Sequence, residues 1–142
     1  MNTVVTDKIL SIQRCIARAR EEYELGGNNF ASDFTHQDAA ILNVLRACET
    51  AIDLANHLIR VYQMGVPKSS RESFELLWRG KVISHELYEK LNKMVGFRNL
   101  SVHTYSETDI QIVISVITKA LDDLIIFTDA IKEFVDTTPP KE

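Results

Sequence analysis

Two opposite stripes along residues 35 to 64 constrain the fold more than any other feature of this sequence. One stripe is apolar and consists of Ile41, Val44, Leu45, Cys48, Ile52, Ala55, Leu58, Ile59 and Tyr62. The other is polar and consists of Arg46, Glu49, Thr50, Asp53, Asn56, His57 and Arg60. Residues three and four apart share one face of an α-helix. The pattern therefore predicts a long amphipathic helix that buries one face in a core and leaves His57 at the surface.

Capping residues indicate where the helices begin and end. The predicted starts of the five helices are Thr6, Thr35 with Asp38, Ser69 with Glu72, Ser84, and Ser106 with Asp109. Glycines mark three ends, at Gly26-Gly27, Gly65 and Gly80. No convincing strand is present. The sequence therefore predicts an all-α fold, an up-and-down helical bundle of four main helices plus one short helix. We expect a single domain over residues 1–136 and a flexible tail over residues 137–142.

Composition and charge exclude several classes of protein. A net charge of −4 lacks the basic footprint of a protein that grips nucleic acid over a wide surface, so any RNA contact is expected to be local or made by a dimer cleft. No signal-peptide pattern and no apolar run approaching the ~20 residues that span a bilayer is present. We therefore expect a soluble, cytoplasmic protein without membrane contact. Cys15 and Cys48 lie on apolar stripes without metal-ligand spacing, which predicts structural thiols, no metal site and no cofactor.

The last predicted helix, from Ser106 to about Val135, is apolar around much of its circumference. One stripe consists of Ile110, Val113, Ile114, Ile117, Leu121, Leu124 and Ile131, and further apolar residues beside it are Ile112, Val116, Ile126, Phe127 and Phe134. Such a helix is buried on two sides. The second side packs either inside the bundle or across a subunit interface, and the pattern does not choose between them. We expect a homodimer, because obligate interfaces are more hydrophobic than ordinary surface.

Two pairs of aromatic residues also require a location. Phe30 and Phe34 follow the first helix and are expected either to pack onto the bundle or to contact a partner. Phe74 and Trp78 lie on the short third helix. We expect this second pair in the core, because no basic residues interleave with it as they do in single-strand-binding surfaces.

Arg98, His103 and Tyr105 form the densest group of functional side chains in the chain. A continuous helix would point Arg98 and His103 about 140° apart. If the helix ends near Asn99 and the following residues are extended, His103 and Tyr105 fall on one side of the chain. The β-branched Val102 favours that extended conformation. The spacing thus predicts a functional cluster after the fourth helix.

Arg98 continues a helical stripe formed by Leu87, Leu91 and Met94. A guanidinium in that position is costly unless it is paired or reaches a wet cleft. Glu49 and Asp53, one turn apart on the second helix, are candidates to receive Arg98 or to orient His103. Two plainer readings stay open: Arg98 as a structural cap paired with a buried carboxylate, and the two acids as part of a solvated face.

The segment reads Arg98-Asn99, then His103, then Tyr105, and it resembles the HEPN superfamily, specifically the HepT-like ribonuclease toxins paired with an MNT-type nucleotidyltransferase antitoxin. Further similar stretches are residues 47–55, 72–77, 80–83, 87–91 and 94–99. The resemblance covers most of residues 36–135.

This resemblance implies a metal-independent endoribonuclease toxin of a type VII-like toxin–antitoxin system. Arg98 and His103 would be catalytic, Tyr105 would be the residue that the antitoxin adenylylates, and Asn99, Glu49 and Asp53 would support the site. RNA would be the substrate, and the MNT-type nucleotidyltransferase the partner.

Two alternatives remain from the residues alone. The chain would otherwise be a non-catalytic helical partner domain, or a nucleotide-binding or docking module for the nucleotidyltransferase.

Overall fold

Helices make up nearly all of the chain that the structure describes. The computed structural model describes residues 3–98 and 107–140, with the backbone alone for residues 107–109. Its α-helices are α1 (Thr3–Gly26), α2 (Phe34–Val61), α3 (Ser70–Arg79), α4 (His85–Phe97), α5 (Glu107–Ser115) and α6 (Leu121–Thr137). A 3₁₀ helix, Gly27–Ser32, joins α1 to α2, and a π-helical turn, Val116–Ala120, joins α5 to α6 without a break. Counting α5 to α6 as one helix, the described residues form five helices and no strand, which confirms the all-α prediction.

The helix starts show which capping predictions were correct. Ser69 and Ser84 are N-caps, and their hydroxyl oxygens accept hydrogen bonds from the backbone N–H groups of Glu72 and Leu87, both at 3.1 Å. Two other predictions were wrong. The first helix begins at Thr3 rather than Thr6. The second is capped by Asp33 rather than Thr35, because the Asp33 carboxylate reaches the third backbone N–H of the helix and favours its positive end.

The connection between α1 and α2 separates the two loop aromatics. Gly27 has a φ of +53°, a conformation that glycine adopts at no steric cost, and α1 ends immediately before it, as predicted. Phe30 is buried and meets Tyr23 edge to face at 5.0 Å. Phe34 is 69% exposed, so of the two alternatives only a partner contact stays open for this residue.

The excess apolar residues of the last helix have different locations. Val116 and Phe127 are buried in the bundle, and Phe127 packs edge to face on Phe74. Ile112 is 41% exposed and Ile126 is 51% exposed. The π-helical turn contributes to this outcome, because an i to i+5 turn inserts an extra residue and shifts the stripe that faces the core. The second apolar side is therefore divided between the core and the surface.

The helices alternate in direction around the core. Val5 near the start of α1 lines the same small pocket as Tyr62 after α2 and Val135 near the end of α6. The start of α1 thus meets the ends of α2 and α6, as an up-and-down bundle requires. Tyr62 donates a hydrogen bond to the carbonyl oxygen of Thr138 at 2.8 Å. The domain boundary at residue 136 stays a prediction.

His57 lies against this pocket and is buried, so its predicted surface location was wrong. Burial lowers the pKa of the imidazole, and the charges of Arg60 and Lys8 lower it further. The polar stripe of α2 is therefore narrower than the sequence pattern indicates, because α1 and the C-terminal residues cover one edge of it. No helix in residues 3–98 and 107–140 is long and apolar enough to cross a bilayer.

One charged contact joins α1 to the start of α2 and should make stability depend on pH. The His36 imidazole is hydrogen-bonded to Glu22, which raises the pKa of His36 and, together with Arg18, lowers the pKa of Glu22. A raised histidine pKa stabilises the fold below the unfolded-state value of about 6.5, and this stabilisation is lost as pH rises through the folded-state pKa. The lowered pKa of the Glu22 carboxyl stabilises the fold above the unfolded-state value of about 4.3. This stabilisation is lost as pH falls through the folded-state pKa of Glu22.

We therefore expect the contribution of the pair to the free energy of unfolding to be largest between about pH 4.3 and 6.5. Urea unfolding of the protein and of a His36→Gln variant across this range measures it. The difference in the free energy of unfolding between the parent protein and the His36→Gln variant should shrink above neutrality. A difference that stays constant from pH 5 to pH 9 would contradict the assignment.

Candidate functional site

Arg98 lies where α2, α3 and α4 meet. It is the C-cap of α4, with helical φ and ψ of −58° and −26°, directly after the buried Phe97. Its Nη1 group donates to Glu49 Oε1 at 3.2 Å and to Ser70 Oγ at 3.3 Å. The predicted contact between Arg98 and Glu49 is therefore present in the structure, whereas Ser70 was not among the predicted site residues.

The exposure of this ion pair shows that it contributes little to stability. The Arg98 side chain is 35% exposed and the Glu49 side chain is 52% exposed. Ion pairs of that kind stabilise a fold by about 0–1 kcal/mol, because water screens the charges and the side chains lose entropy. Arg98 is therefore not paired with a buried carboxylate, as the plainer reading required. It lies at the end of the core stripe with its side chain partly exposed.

Within the described part of the chain, the hydrogen bonds of the Arg98 guanidinium use one of its three nitrogens. Both of its contacts use Nη1, and within residues 3–98 and 107–140 the Nε and Nη2 groups have no hydrogen-bond partner. Arginine presents its N–H groups in a rigid planar fork that matches phosphate and carboxylate oxygens. The Glu49 and Ser70 contacts orient this fork without occupying it. The arrangement suits recognition of a phosphate group.

The remaining predicted site residues fall into two groups. Asp53 is exposed on α2 one turn after Glu49, and it forms no ion pair with the described part of the chain. Three other predicted site residues lie outside the described residues: Asn99, His103 and Tyr105. Their roles remain predictions.

Cys48 directly precedes Glu49 in α2, and its thiol is unreactive. It is buried, and burial together with the Glu49 charge raises the pKa of its thiol to about 12. The thiolate is the reactive form of cysteine, so a pKa this high leaves the thiol inert at neutral pH. Cys15 is also buried. Both cysteines are therefore buried, as their position on apolar stripes predicted.

A groove between α1 and α2 leads away from Glu49. Its volume is about 750 Å³, and Arg14, Arg18 and Arg46 line it together with Glu49. Arg18 is paired with Glu21 and Glu22, whereas Arg14 and Arg46 form no ion pair with any described residue. Sequence reasoning placed Arg46 only on a polar stripe, because the convergence of residues from two helices is not visible in either helix alone.

No metal-binding cluster is present within residues 3–98 and 107–140. No group of three or more His, Cys, Asp or Glu side chains in these ranges could hold a metal ion.

Comparisons with known proteins agree on one family. The family model described as ribonuclease HepT-like matches residues 12–131. The chain is 46% identical over 132 residues to a protein of Shewanella oneidensis named mRNA nuclease HepT, covering 93% of this chain and 98% of that one.

Solved structures give the same result. One is a tri-AMPylated Shewanella oneidensis HEPN toxin in complex with its MNT antitoxin, with a TM-score of 0.86, 46% identity, and coverage of 94% of this chain and 99% of the other. Another is a toxin–antitoxin complex with AMP-PNP, with a TM-score of 0.85, 45% identity, and coverage of 93% and 98%.

Proposed function

Because this chain belongs to the HepT-like ribonuclease family, we propose that it is an endoribonuclease toxin of a type VII-like toxin–antitoxin system. The observation that carries the proposal is the partly exposed guanidinium of Arg98, which contacts Glu49 and Ser70 and leaves Nε and Nη2 without a partner among the described residues. Its substrate is RNA, and its partner is an MNT-type nucleotidyltransferase antitoxin. The names of the Shewanella relatives, an mRNA nuclease and a toxin complexed with an MNT antitoxin, support both assignments.

The proposed reaction uses the 2′-hydroxyl of RNA as the nucleophile. His103 removes the proton from that hydroxyl or donates one to the leaving oxygen, since an imidazole with a pKa near 6.5 transfers protons efficiently around neutrality. The 2′-oxygen bonds to phosphorus, and the bond from phosphorus to the 5′-oxygen breaks. This chemistry needs no metal ion and excludes DNA, which lacks the nucleophile.

Arg98 stabilises the phosphorus centre in this mechanism. Its free N–H groups donate to the phosphate oxygens, whose negative charge grows in the transition state. Glu49 and Ser70 hold the guanidinium in place, which lowers the cost of reorganising it during the reaction. Asp53 and Asn99 complete the proposed support of the site.

The Arg98→Ala substitution tests this function. We expect cleavage of a defined RNA by unmodified protein to fall about 10²- to 10³-fold, as when one donor to a developing oxyanion is removed. Arg98→Lys should recover only part of the activity, because lysine lacks the planar fork. Arg60→Ala, at an exposed position elsewhere on α2, is the matched control and should cleave like the parent protein.

Two conditions separate this proposal from its alternatives. Cleavage should persist in excess EDTA, and loss of cleavage there would overturn the metal-free mechanism. If the unmodified protein binds its antitoxin but cleaves no RNA, the chain is a docking module for the nucleotidyltransferase.

We also propose a homodimer that uses the exposed part of the last helix. Ile112 and Ile126 are both exposed there, and burying them against a second copy would remove apolar surface from water. Sedimentation at micromolar concentration should show a dimer, and an Ile112→Lys, Ile126→Lys double variant should be monomeric. Leu10→Lys, on the exposed side of α1, is the control. A parent protein that sediments as a monomer would refute the proposal.

A further inference from the structure

A second groove lies between α3 and α4, outside the proposed catalytic cluster. Its volume is about 560 Å³, and its lining combines aromatic, cationic and amide side chains: Arg71, Trp78, His85, Tyr88, Glu89, Asn92 and Lys93. Five residues, 80–84, join the two helices, so residues from seven to 22 positions apart line the same groove. This combination of side chains does not appear along either helix alone.

Three rings form one wall of the groove. Trp78 stacks on Tyr88 with ring centroids 5.2 Å apart and planes 17° from parallel. His85 meets Trp78 edge to face at 4.4 Å. Tyr88 is buried, Trp78 is partly exposed and His85 is exposed, and the Arg79 guanidinium lies over the Trp78 ring, 5.0 Å from its centroid. Phe74 is buried in the core as predicted, and Trp78 is partly buried and packs against the core.

Positive charge and hydrogen-bonding groups lie beside these rings. Interaction with the Tyr88 side chain raises the pKa of the Arg71 guanidinium, and Lys93 has no carboxylate partner among the described residues. Glu89 is the acidic residue of the lining, and it contacts His85 at 3.5 Å. Asn92 Oδ1 is enclosed and lacks a hydrogen-bond donor within the described chain. Rotation of that amide toward the groove would offer a base both an acceptor and a donor.

The groove and the Arg98 site are neighbours at the start of α3. Arg71, which lines the groove, directly follows Ser70, whose hydroxyl accepts the hydrogen bond from Arg98. Adjacent Cα atoms are about 3.8 Å apart, so the groove begins one residue away from a contact of Arg98.

We propose that the α3–α4 groove is a nucleotide subsite for single-stranded RNA, which places one base against the Trp78 wall and its phosphate between Arg71 and Lys93. The proposal rests on the proposed ribonuclease function and deepens it by giving the substrate a second point of contact. Aromatic rings flanked by cations bind single strands because every base has a face that stacks and every nucleotide carries a phosphate.

Trp78 provides a direct test, because it is the only tryptophan of the chain. A 2′-O-methyl oligoribonucleotide lacks the proposed nucleophile, so its binding is measured without cleavage. Titration with this probe should quench the Trp78 fluorescence. Lys93→Gln should weaken the binding and reduce the slope of log affinity against log salt by about 0.7, the value for one phosphate contact on a single strand. Lys119→Gln, at an exposed lysine of the last helix that does not line the groove, should leave both quantities unchanged.

A labelled probe extends the test to the ring itself. Trp78→Phe keeps an aromatic ring on Tyr88, and Trp78→Ala should weaken binding about 5- to 150-fold, the range that one stacked base contributes. Cleavage of unmodified RNA by the parent protein reports separately on the ribonuclease function. If that cleavage occurs while the probe leaves Trp78 fluorescence unchanged and Lys93→Gln cleaves normally, the subsite is wrong and the ribonuclease stands. If purified antitoxin but not RNA alters the fluorescence, the groove is a protein interface and the proposal fails.

Discussion

Replacing His103 by alanine is expected to abolish RNA cleavage and to leave the helical bundle intact. A positioned general acid or base contributes about 10²- to 10⁴-fold to the rate, so loss of the imidazole should lower the cleavage rate by a factor in that range. His103 lies outside the apolar stripes that form the core, so its truncation should remove chemistry and not packing. Initial rates on a defined RNA, with circular dichroism and thermal unfolding of the same sample, measure both consequences.

His57 offers an internal contrast for this experiment. It is buried against the pocket near Tyr62, where burial lowers its pKa. His57→Ala should therefore lower the melting temperature while leaving the cleavage rate of the folded fraction unchanged. The catalytic assignment fails if His103→Ala instead loses stability by the roughly 2–5 kcal/mol typical of core truncation, since that result would make His103 a structural residue.

Modification of Tyr105 is expected to switch the enzyme off completely. In an extended segment Tyr105 shares a side with His103, so a group attached to the phenol would enter the cleft that Arg98 lines. Each AMP adds a phosphodiester anion that competes with substrate phosphate for the guanidinium. The description of the Shewanella toxin as tri-AMPylated supports this form of regulation. Co-expression with the cognate nucleotidyltransferase should add mass in AMP increments to Tyr105 and suppress cleavage.

The Tyr105→Phe variant separates modification from simple occlusion. It should stay at its unmodified mass and remain toxic during co-expression, provided that the hydroxyl has no catalytic duty. Peptide mapping includes Tyr62 and Tyr88 as internal controls, because Tyr62 donates to a backbone carbonyl and Tyr88 is packed against Trp78. Full inhibition with no mass change, or AMP found on another residue, would show that the antitoxin acts without Tyr105.

The local features of this fold were predictable because they depend on neighbouring residues. Ser69 and Ser84 each cap a helix through a backbone N–H three residues away, and such a contact is encoded within four positions. The wrong prediction for the start of α2 has an equally local cause. Asp33 precedes Thr35, and its carboxylate is the stronger cap. A local rule therefore identifies the existence of a helix better than its first residue.

The last helix shows where periodicity stops being informative. Val116 and Phe127 appeared to lie beside the core stripe, yet both are buried, while Ile126 next to Phe127 is exposed. The π-helical turn at Val116–Ala120 shifts the register between the two halves of the helix. Nothing in the residue pattern predicted this turn, because an ideal repeat of 3.6 residues was assumed throughout.

By itself, the sequence determined the all-α fold, its helices and the family resemblance of the segment around Arg98, since apolar spacing and motif order are properties of one chain read in order. Only the tertiary structure decided that Arg98 contacts Glu49 and Ser70, and that Trp78 shares a groove with Arg71 and Lys93. The physical reason is that these contacts join different helices. Their geometry depends on how helices pack across the bundle, and spacing within one helix carries no record of the neighbour it meets.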